Sequence, residues 1–342
     1  MNRIWIAIAV CCCLALVVSA QAESIPSEVT ITDQAGYTVT LNQPIEAITS
    51  VHGIGTYYVY TLGDGDRLIM AYYVGVKAIS SVPATMLRWE PRLSELLSYG
   101  DPNIEEIVAS GTDLVLADGT QHQAVAEQLR ELGIPVALYR AESPAQMKEA
   151  ITLTSTLLGS AAEVRAAAFI ADYDRVVDTV ASDLSALDEE SRKRILFLGT
   201  SVTKAVSGEM YQSALIAAAG GVSVSDALLG SWNEVNLEQI LLWNPDVIVI
   251  APYGPVQPVD ILENPDWQSL DAVRTGHVYR MPRLIAPMDT PVPESLLGIA
   301  WMANTFYPGL LSIDLAHEIN LFYTKYYGLE LTEDEIDILS CP

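Results

Sequence analysis

Cations are scarce in this chain of 342 residues, which has 18 Lys and Arg against 43 Asp and Glu and a formal net charge of −25. A chain without surplus cations cannot neutralise phosphates, so the composition excludes nucleic acid as a partner. Anionic lipid headgroups should repel the chain for the same reason. With 50% hydrophobic and 18% charged residues, the chain is nevertheless expected to fold rather than remain disordered.

Cysteine is scarce as well. Three of the four cysteines lie within the apolar run Ile4–Ala20, and only Cys341 lies beyond it. That run follows Arg3 and precedes an Ala-x-Ala cleavage site, the layout of a signal peptide. We therefore predict that residues 1–22 are a signal peptide or an uncleaved N-terminal anchor, and that the rest is exported to the periplasm or the outer face of the cell membrane. A lone remaining cysteine excludes an internal disulfide and a cysteine-based metal site.

The rest of the chain alternates short apolar segments with amphipathic ones. Strands are predicted at 46–51, 68–72, 113–117, 135–139, 194–198, 246–250 and 277–281, with a helix at 123–132. This alternation is typical of a parallel sheet covered by helices on both faces. Residues 161–193 contain neither Gly nor Pro and carry apolar residues at helical spacing, which predicts one long helix.

An internal repeat indicates two lobes. Residues 103–116 align without gaps to residues 236–249, and Asn, Glu, Ile and Asp coincide. Each copy predicts a helix with an Asn cap and a Glu in its first turn, then an Asp that opens a strand. Ordinary preferences for capping and first-turn residues explain one copy, whereas two copies at corresponding places favour two similar lobes.

The predicted fold is therefore α/β, with two Rossmann-like lobes built on central parallel sheets and joined by a long backbone helix. Its divisions are an N-terminal lobe at 23–160, a linking helix at 161–193, a C-terminal lobe at 194–300, and helices at 301–342 that pack back on the lobes.

These blocks resemble the periplasmic substrate-binding proteins of iron-siderophore, haem and cobalamin ABC importers, the class III periplasmic binding proteins. The resemblance rests on the two Asn-x-Glu helices and on the block at 264–280, and it covers roughly residues 29–327. It implies a ligand clamped between two α/β lobes, no catalysis, and an ABC permease with its ATPase as partner. It also implies that one acidic residue of each lobe docks on the permease, here Glu105 and Glu238.

Ligands of open parallel sheets bind beyond the carboxyl ends of the strands. Aromatic side chains at these ends could form the walls for a chelate, and guanidinium groups could pair with its acidic groups. The candidate contacts are Trp232 and Tyr253, followed by Tyr57, Tyr72, Tyr211, Trp89, Arg88, Arg283, Met288 and His52. Each of them could instead be a core side chain or form a surface ion pair.

We therefore expect a monomeric binding protein, without a resident cofactor, that delivers an iron chelate (a siderophore or haem) or cobalamin. Two further ligand classes remain open. His52 and His122 follow first-lobe strands and suit a bare Zn or Mn ion, and an oxyanion such as molybdate could bind at helix ends. An exported enzyme is a third class, but no nucleophile, base and orienting group occur at recognisable spacing.

Overall fold

The computed structural model describes residues 28–341, so the predicted signal peptide or anchor lies outside the described residues. The first described element is an antiparallel hairpin of β1 (Glu28–Thr32) and β2 (Thr38–Asn42), and β1 packs on α6 (Pro144–Leu158). Within residues 28–341, no helix is both long and apolar enough to cross a membrane.

The first lobe carries a four-stranded parallel sheet in the order β4-β3-β5-β6. Its elements in chain order are β3 (Ile48–Ser50), α1 (Gly53–Thr61), β4 (Leu68–Ala71), α2 (Ala84–Trp89), α3 (Leu93–Leu96), α4 (Ile104–Ala109), β5 (Leu114–Asp118), α5 (Gln123–Glu131) and β6 (Val136–Tyr139). Short 3₁₀ turns lie at Gly65–Arg67 and Ile79–Ser81. The central residues of all four strands are largely buried, as expected for a parallel sheet covered on both faces.

The linking helix α7 spans Ser160–Asp183 and has 24 residues, so a long helix joins the lobes. The expectation that it continues to residue 193 was wrong. Leu184 leaves helical geometry, and Asp188 caps a separate 3₁₀ turn at Glu189–Ser191 by accepting a hydrogen bond from the Ser191 amide. No Gly or Pro marks this ending, which is why the sequence did not reveal it.

The second lobe carries a six-stranded sheet in which β9, β7, β11 and β12 are parallel neighbours, while β8 and β10 add an antiparallel ribbon. Its elements are β7 (Arg194–Leu198), β8 (Lys204–Ala205), α8 (Tyr211–Ala218), β9 (Val222–Ser223), β10 (Asn233–Glu234), α9 (Leu237–Trp243), β11 (Val247–Ile250), α10 (Pro258–Leu262), a 3₁₀ turn at Pro265–Trp267, α11 (Asp271–Arg274) and β12 (Val278–Arg280). All seven predicted strands are present, each within two residues of its expected bounds.

Three helices end the chain: α12 (Ser295–Phe306), α13 (Leu315–Tyr327) and α14 (Glu333–Ser340). The expected division at residue 300 was wrong, because it cuts through α12. This helix is buried along almost its whole length and packs on α7, α8 and α13. It therefore belongs to the shared core, and only α13 and α14 pack back on the lobes from outside.

One hydrophobic cluster runs through both lobes and the linking helices. Its largest buried side chains include Tyr57, Phe169, Tyr211 and Trp301. Each lobe has one further, smaller cluster under its outer helices. Because this core is continuous between the lobes, packed side chains fix the position of one lobe relative to the other.

The repeat predicted from sequence is the same structural device in each lobe. Asn103 caps α4 and Asn236 caps α9, in both cases through a side-chain oxygen that accepts the N3 amide. Asp113 accepts two backbone amides at the start of β3, both at 2.9 Å, and Asp246 accepts one at the start of β7, at 2.8 Å. Each Asp thus joins its own strand to the neighbouring strand.

Candidate ligand-binding site

A cavity of about 800 Å³ lies between the two lobes and runs along β12 of the second-lobe sheet. The segment after β4 contributes Gly75 and Val76, and β12 with the segment after it contributes residues 278–283. Pro252 after β11 and Gln257 and Pro258 at the start of α10 add to the wall. Helix α14 and the residue beyond it contribute Ile338 and Cys341. A concave space of this size between two α/β lobes is a candidate site for a small molecule.

Two arginines line this cavity. The Arg283 Nη2 donates a 2.6 Å hydrogen bond to the Val74 carbonyl of the first lobe, and its Nε donates to the Ile285 carbonyl at 3.2 Å. Arg280 donates from Nη2 to the carbonyls of Pro252 and Gly254, at 2.7 and 2.9 Å. Arg283 therefore connects the two lobes, and Arg280 fixes the loop that follows β11.

The cavity wall is positively charged within a chain that is strongly acidic. Among the described residues that line it, none is Asp or Glu. In addition, the Arg280 Nε is buried and has no hydrogen-bond partner within the described part of the chain. Because no carboxylate lines the cavity, its guanidinium groups favour an anionic group there, and the charge of Arg283 also acts on the buried Asp289 and Glu294 behind it.

The second lobe also places a buried carboxyl beside the cleft. Asp289 Oδ2 accepts hydrogen bonds from the Tyr253 hydroxyl at 2.9 Å and from the Gln212 amide at 3.2 Å. Its Oδ1 is buried and has no partner among residues 28–341. Burial raises the pKa of Asp289 to about 6, so this carboxyl gains a proton close to neutral pH and can then donate a hydrogen bond.

The corresponding ends of the first lobe carry histidines. His52 Nε2 lies 3.5 Å from Asp118 Oδ2, and His122 Nδ1 accepts the Asp118 amide at 3.2 Å. Burial lowers the pKa of His52 to about 4 against the opposing effect of Asp118, and burial lowers the pKa of His122 as well. Within the described part of the chain, no group of three or more His, Cys, Asp or Glu side chains is arranged to hold a metal ion.

A family model described as "Periplasmic binding protein" matches residues 59–284, which include the second-lobe sheet, three of the four strands of the first-lobe sheet and most of the cavity wall. The chain belongs to the periplasmic binding protein family. Its two-lobed α/β fold, with a cavity between the lobes, agrees with this membership.

Curated relatives of this binding protein differ in their named ligands. Over 272 residues it is 26% identical to the molybdate-binding protein MolA of Haemophilus influenzae, covering 72% of this chain and 77% of that protein. Over 269 residues it is 26% identical to a vitamin B12-binding protein of Yersinia pestis, covering 74% and 91%. These relatives agree on the family and disagree on the ligand.

A solved structure with the same fold is a periplasmic solute binding protein from Veillonella parvula. It superposes with a TM-score of 0.79 at 24% sequence identity, covering 91% of this chain and 96% of that one. The predicted fold class is thereby confirmed.

Among the proposed ligand contacts of this binding protein, Arg283 is the one that lines the cavity in the described part of the chain. His52 and Tyr253 follow β3 and β11 outside that lining, and Trp232 directly precedes β10. The Trp232 ring covers Gly199 so closely that a Cβ there would lie 2.7 Å from the ring. Glycine at the end of β7 is therefore what allows the half-buried indole to lie across the strand end. Whether Trp232 and Tyr253 touch a ligand stays a prediction.

Most of the remaining candidates pack against other side chains of the protein. Tyr57, Tyr211 and Met288 are buried, and the Tyr211 hydroxyl lies 2.8 Å from Ser295 Oγ inside the core. Tyr72 packs on the outer cluster of the first lobe, where burial raises its pKa and Glu106 adds to that effect. The three buried side chains are therefore unsuited to direct ligand contact, whereas Tyr72 is only half-buried and stays a predicted contact.

Arg88 and Trp89 attach the C-terminal helices to the first lobe. Arg88 pairs with Glu335 at 2.7 Å, and the Trp89 ring stacks on Tyr327 with its Nε1 donating to the Tyr327 carbonyl at 3.2 Å. We therefore reassign both residues from ligand contact to helix attachment. The sequence did not reveal this because residues more than 230 positions apart form these contacts.

Sequence reasoning missed Arg280, Gln212 and Asp289. Arg280 is the last residue of β12 and falls inside the strand predicted at 277–281, and Asp289 follows directly on Met288. The scarcity of cations was the signal that could have identified Arg280, since each arginine in such an acidic chain is a candidate partner for an anion.

Proposed function

We propose that this chain is the extracytoplasmic solute-binding protein of an ABC importer, and that its ligand is an anionic metal chelate such as a ferric siderophore or haem. The observation that carries the proposal is the cavity between the lobes, which two arginines line without an accompanying carboxylate. In this proposal the protein is a monomer, performs no catalysis, holds no resident cofactor, and is exported by its N-terminal signal.

Cavity size supports a chelate over an oxyanion. A volume of about 800 Å³ lies in the range that suits drug-sized ligands. Molybdate has only five atoms and would leave most of this space to water.

Charge and donor type argue against a bare metal ion and against cobalamin. A bare Zn or Mn ion would need several His or carboxylate ligands, and His52 contributes only a pair with Asp118. Cobalamin presents neutral amides and a single phosphodiester, so it offers fewer partners for two guanidinium groups. A siderophore complex or haem presents several carboxylates or phenolates and matches them better.

The two matched helices α4 and α9 support the proposal that the protein delivers its ligand to a permease. Glu105 lies in the first turn of α4 and Glu238 in the first turn of α9, and both side chains are exposed. One carboxylate fixed on each lobe provides two docking points for basic pockets on a permease. We propose these two residues as the docking pair.

Titration of the purified protein tests the ligand class. Ferric citrate should bind with a saturable change in intrinsic fluorescence, and Arg280→Gln and Arg283→Gln should each weaken it by about tenfold or more, as for loss of a charge-assisted contact. Arg274→Gln is the matched control, since this exposed arginine pairs with Asp271 in its own helix, at 3.0 Å, and does not line the cavity. Saturable binding of cobalamin or molybdate, with no binding of ferric citrate, would refute the proposed ligand class.

A further inference from the structure

The last helix of the chain borders the ligand cavity. Ile338 is 56% exposed and Cys341 is exposed, and both line the cavity between the lobes. They are three positions apart, so they lie on the same side of the segment. Ile338 is therefore a large apolar side chain at the edge of the cavity.

The neighbouring face of α14 is fixed to the first lobe. Glu335 accepts hydrogen bonds from Arg88, at 2.7 and 3.1 Å, and from the Thr85 hydroxyl. The Arg88 guanidinium, together with Thr85, holds the pKa of Glu335 at about 2, so this attachment is charged at every physiological pH. Leu339, one turn further on, is fully buried against the core. Helix α14 is therefore held in one position.

The same short helix of the first lobe supports both the attachment and the cavity. Pro83 lines the cavity and immediately precedes α2, which carries Thr85 and Arg88. Arg280 and Arg283 lie on the second-lobe side of the same cavity. An apolar wall formed by α14 thus faces a basic wall contributed by β12 and the segment after it.

We propose that α14 is the wall that limits ligand size at this end of the cleft, with Ile338 as the residue that determines specificity. In this arrangement the acidic groups of a chelate face Arg280 and Arg283, and its apolar ring or chain packs on Ile338. The proposal rests on the proposed function and extends it, because it defines which side of the ligand is apolar and where the permitted volume ends.

The test uses the full-length chain with substitutions that change the wall alone. Ile338→Trp fills the space and should weaken binding of ferric citrate about tenfold, while Ile338→Ala should enlarge the cavity and favour a bulkier ferric tricatecholate over ferric citrate. Val164→Trp is the control, since Val164 is 71% exposed on α7 and does not line the cavity. Thermal unfolding of each variant confirms that the exposed substitutions leave the fold intact.

Cys341 gives an independent readout. A thiol reagent should modify it in the free protein, and bound ferric citrate should slow that reaction about tenfold, measured at the Cys341 peptide by mass spectrometry. A bulky maleimide adduct at Cys341 should weaken the binding of ferric citrate to the same extent as Ile338→Trp. The peptide measurement separates Cys341 from the three cysteines of the N-terminal segment.

The outcomes separate the wall from the ligand class. Binding of ferric citrate with a loss in Ile338→Trp and none in Val164→Trp supports both. If neither Ile338→Trp nor the adduct changes the binding of ferric citrate, the proposal that α14 limits ligand size is overturned, and the proposed function stays in place. If molybdate, cyanocobalamin or nickel–histidine binds instead, with the same losses, the ligand class fails and the wall stands. If none of these probes binds, both proposals are overturned.

Discussion

The two lobes share one framework and differ at the ends of their strands. Both use an Asn-capped helix, a residue with positive φ and an Asp that joins two strands, and these features coincide in the repeat. At the strand ends, however, the first lobe has the ionisable pair His52 and Asp118, whereas the second has Gly199 beneath Trp232. The framework can repeat because its caps, turns and Asp contacts satisfy backbone groups that both lobes share. The side chains suited to ligand binding lie at the strand ends, where the two lobes differ.

Burial gives the two lobes opposite responses to acid, which is the largest effect we expect. In the first lobe the pKa of His52 falls from 6.5 to about 4. Between these values the unfolded chain binds a proton that the folded chain does not, so this contribution to the free energy of unfolding is complete above about pH 6.5. It should decline by about 3 kcal/mol as pH falls to about 4. His52→Gln should remove that decline in urea denaturation, while exposed His317→Gln should not.

In the second lobe the sign is reversed. Burial raises the pKa of Asp289 to about 6 and that of Glu294 to about 7. These folded carboxyls keep protons that the unfolded chain has lost, so their contribution is complete below about pH 4 and disappears as pH rises through about 7. Asp289→Asn should therefore raise the free energy of unfolding at about pH 8 by up to about 3 kcal/mol. If the free energy of unfolding changed with pH in the same way in His52→Gln, in Asp289→Asn and in the unsubstituted protein, the contrast between the lobes would be contradicted.

Much of this framework could be predicted from the sequence because it depends on local chemistry. The Asn cap, the first-turn Glu and the apolar strand are each specified within about 14 residues, and their repetition made the two-lobed fold predictable. The end of α7 was not predictable, since no Gly or Pro marks it and the chain turns there to enter β7. Tertiary context determines such boundaries.

The site could be predicted only in part, for a physical reason. Strand ends indicated Trp232, Tyr253, Arg283 and His52, but whether a side chain turns to the cleft depends on its partners in distant segments. Arg88 turns to Glu335, 247 positions away, and Tyr211 turns into the core. The orphaned oxygen of Asp289 and the wall formed by α14 exist only once the lobes have assembled.

Charge reversal at the docking pair tests whether the lobes are equivalent in function. Glu105→Lys and Glu238→Lys should each weaken binding to the cognate ABC permease by about tenfold, since each places a cation against a basic pocket. The double variant should lose both contributions, while ferric citrate titrates it normally. Binding to detergent-purified permease measures this directly.

The double variant Glu131→Lys and Glu263→Lys is the control, because it changes the charge equally at one exposed residue of each lobe. If the control loses as much affinity, general acidity rather than two defined sites mediates docking. If only one of Glu105 and Glu238 matters, the lobes dock unequally and the symmetry of the repeat does not extend to the permease.

The smallest expected effect comes from the turn between helix and strand, where Gly111 in the first lobe corresponds to Asn244 in the second. Both have positive φ, at 74° and 39°. Nothing lies within 4 Å of a Cβ built on Gly111, so Gly111→Asn should change the free energy of unfolding by less than about 0.5 kcal/mol. Asn244 exchanges hydrogen bonds with Asp271 at 2.6 and 3.0 Å, so Asn244→Gly should cost about 1 kcal/mol. Equal costs in urea denaturation would mean that the side chain of Asn244 adds nothing to the turn, and that the two copies differ there in sequence alone.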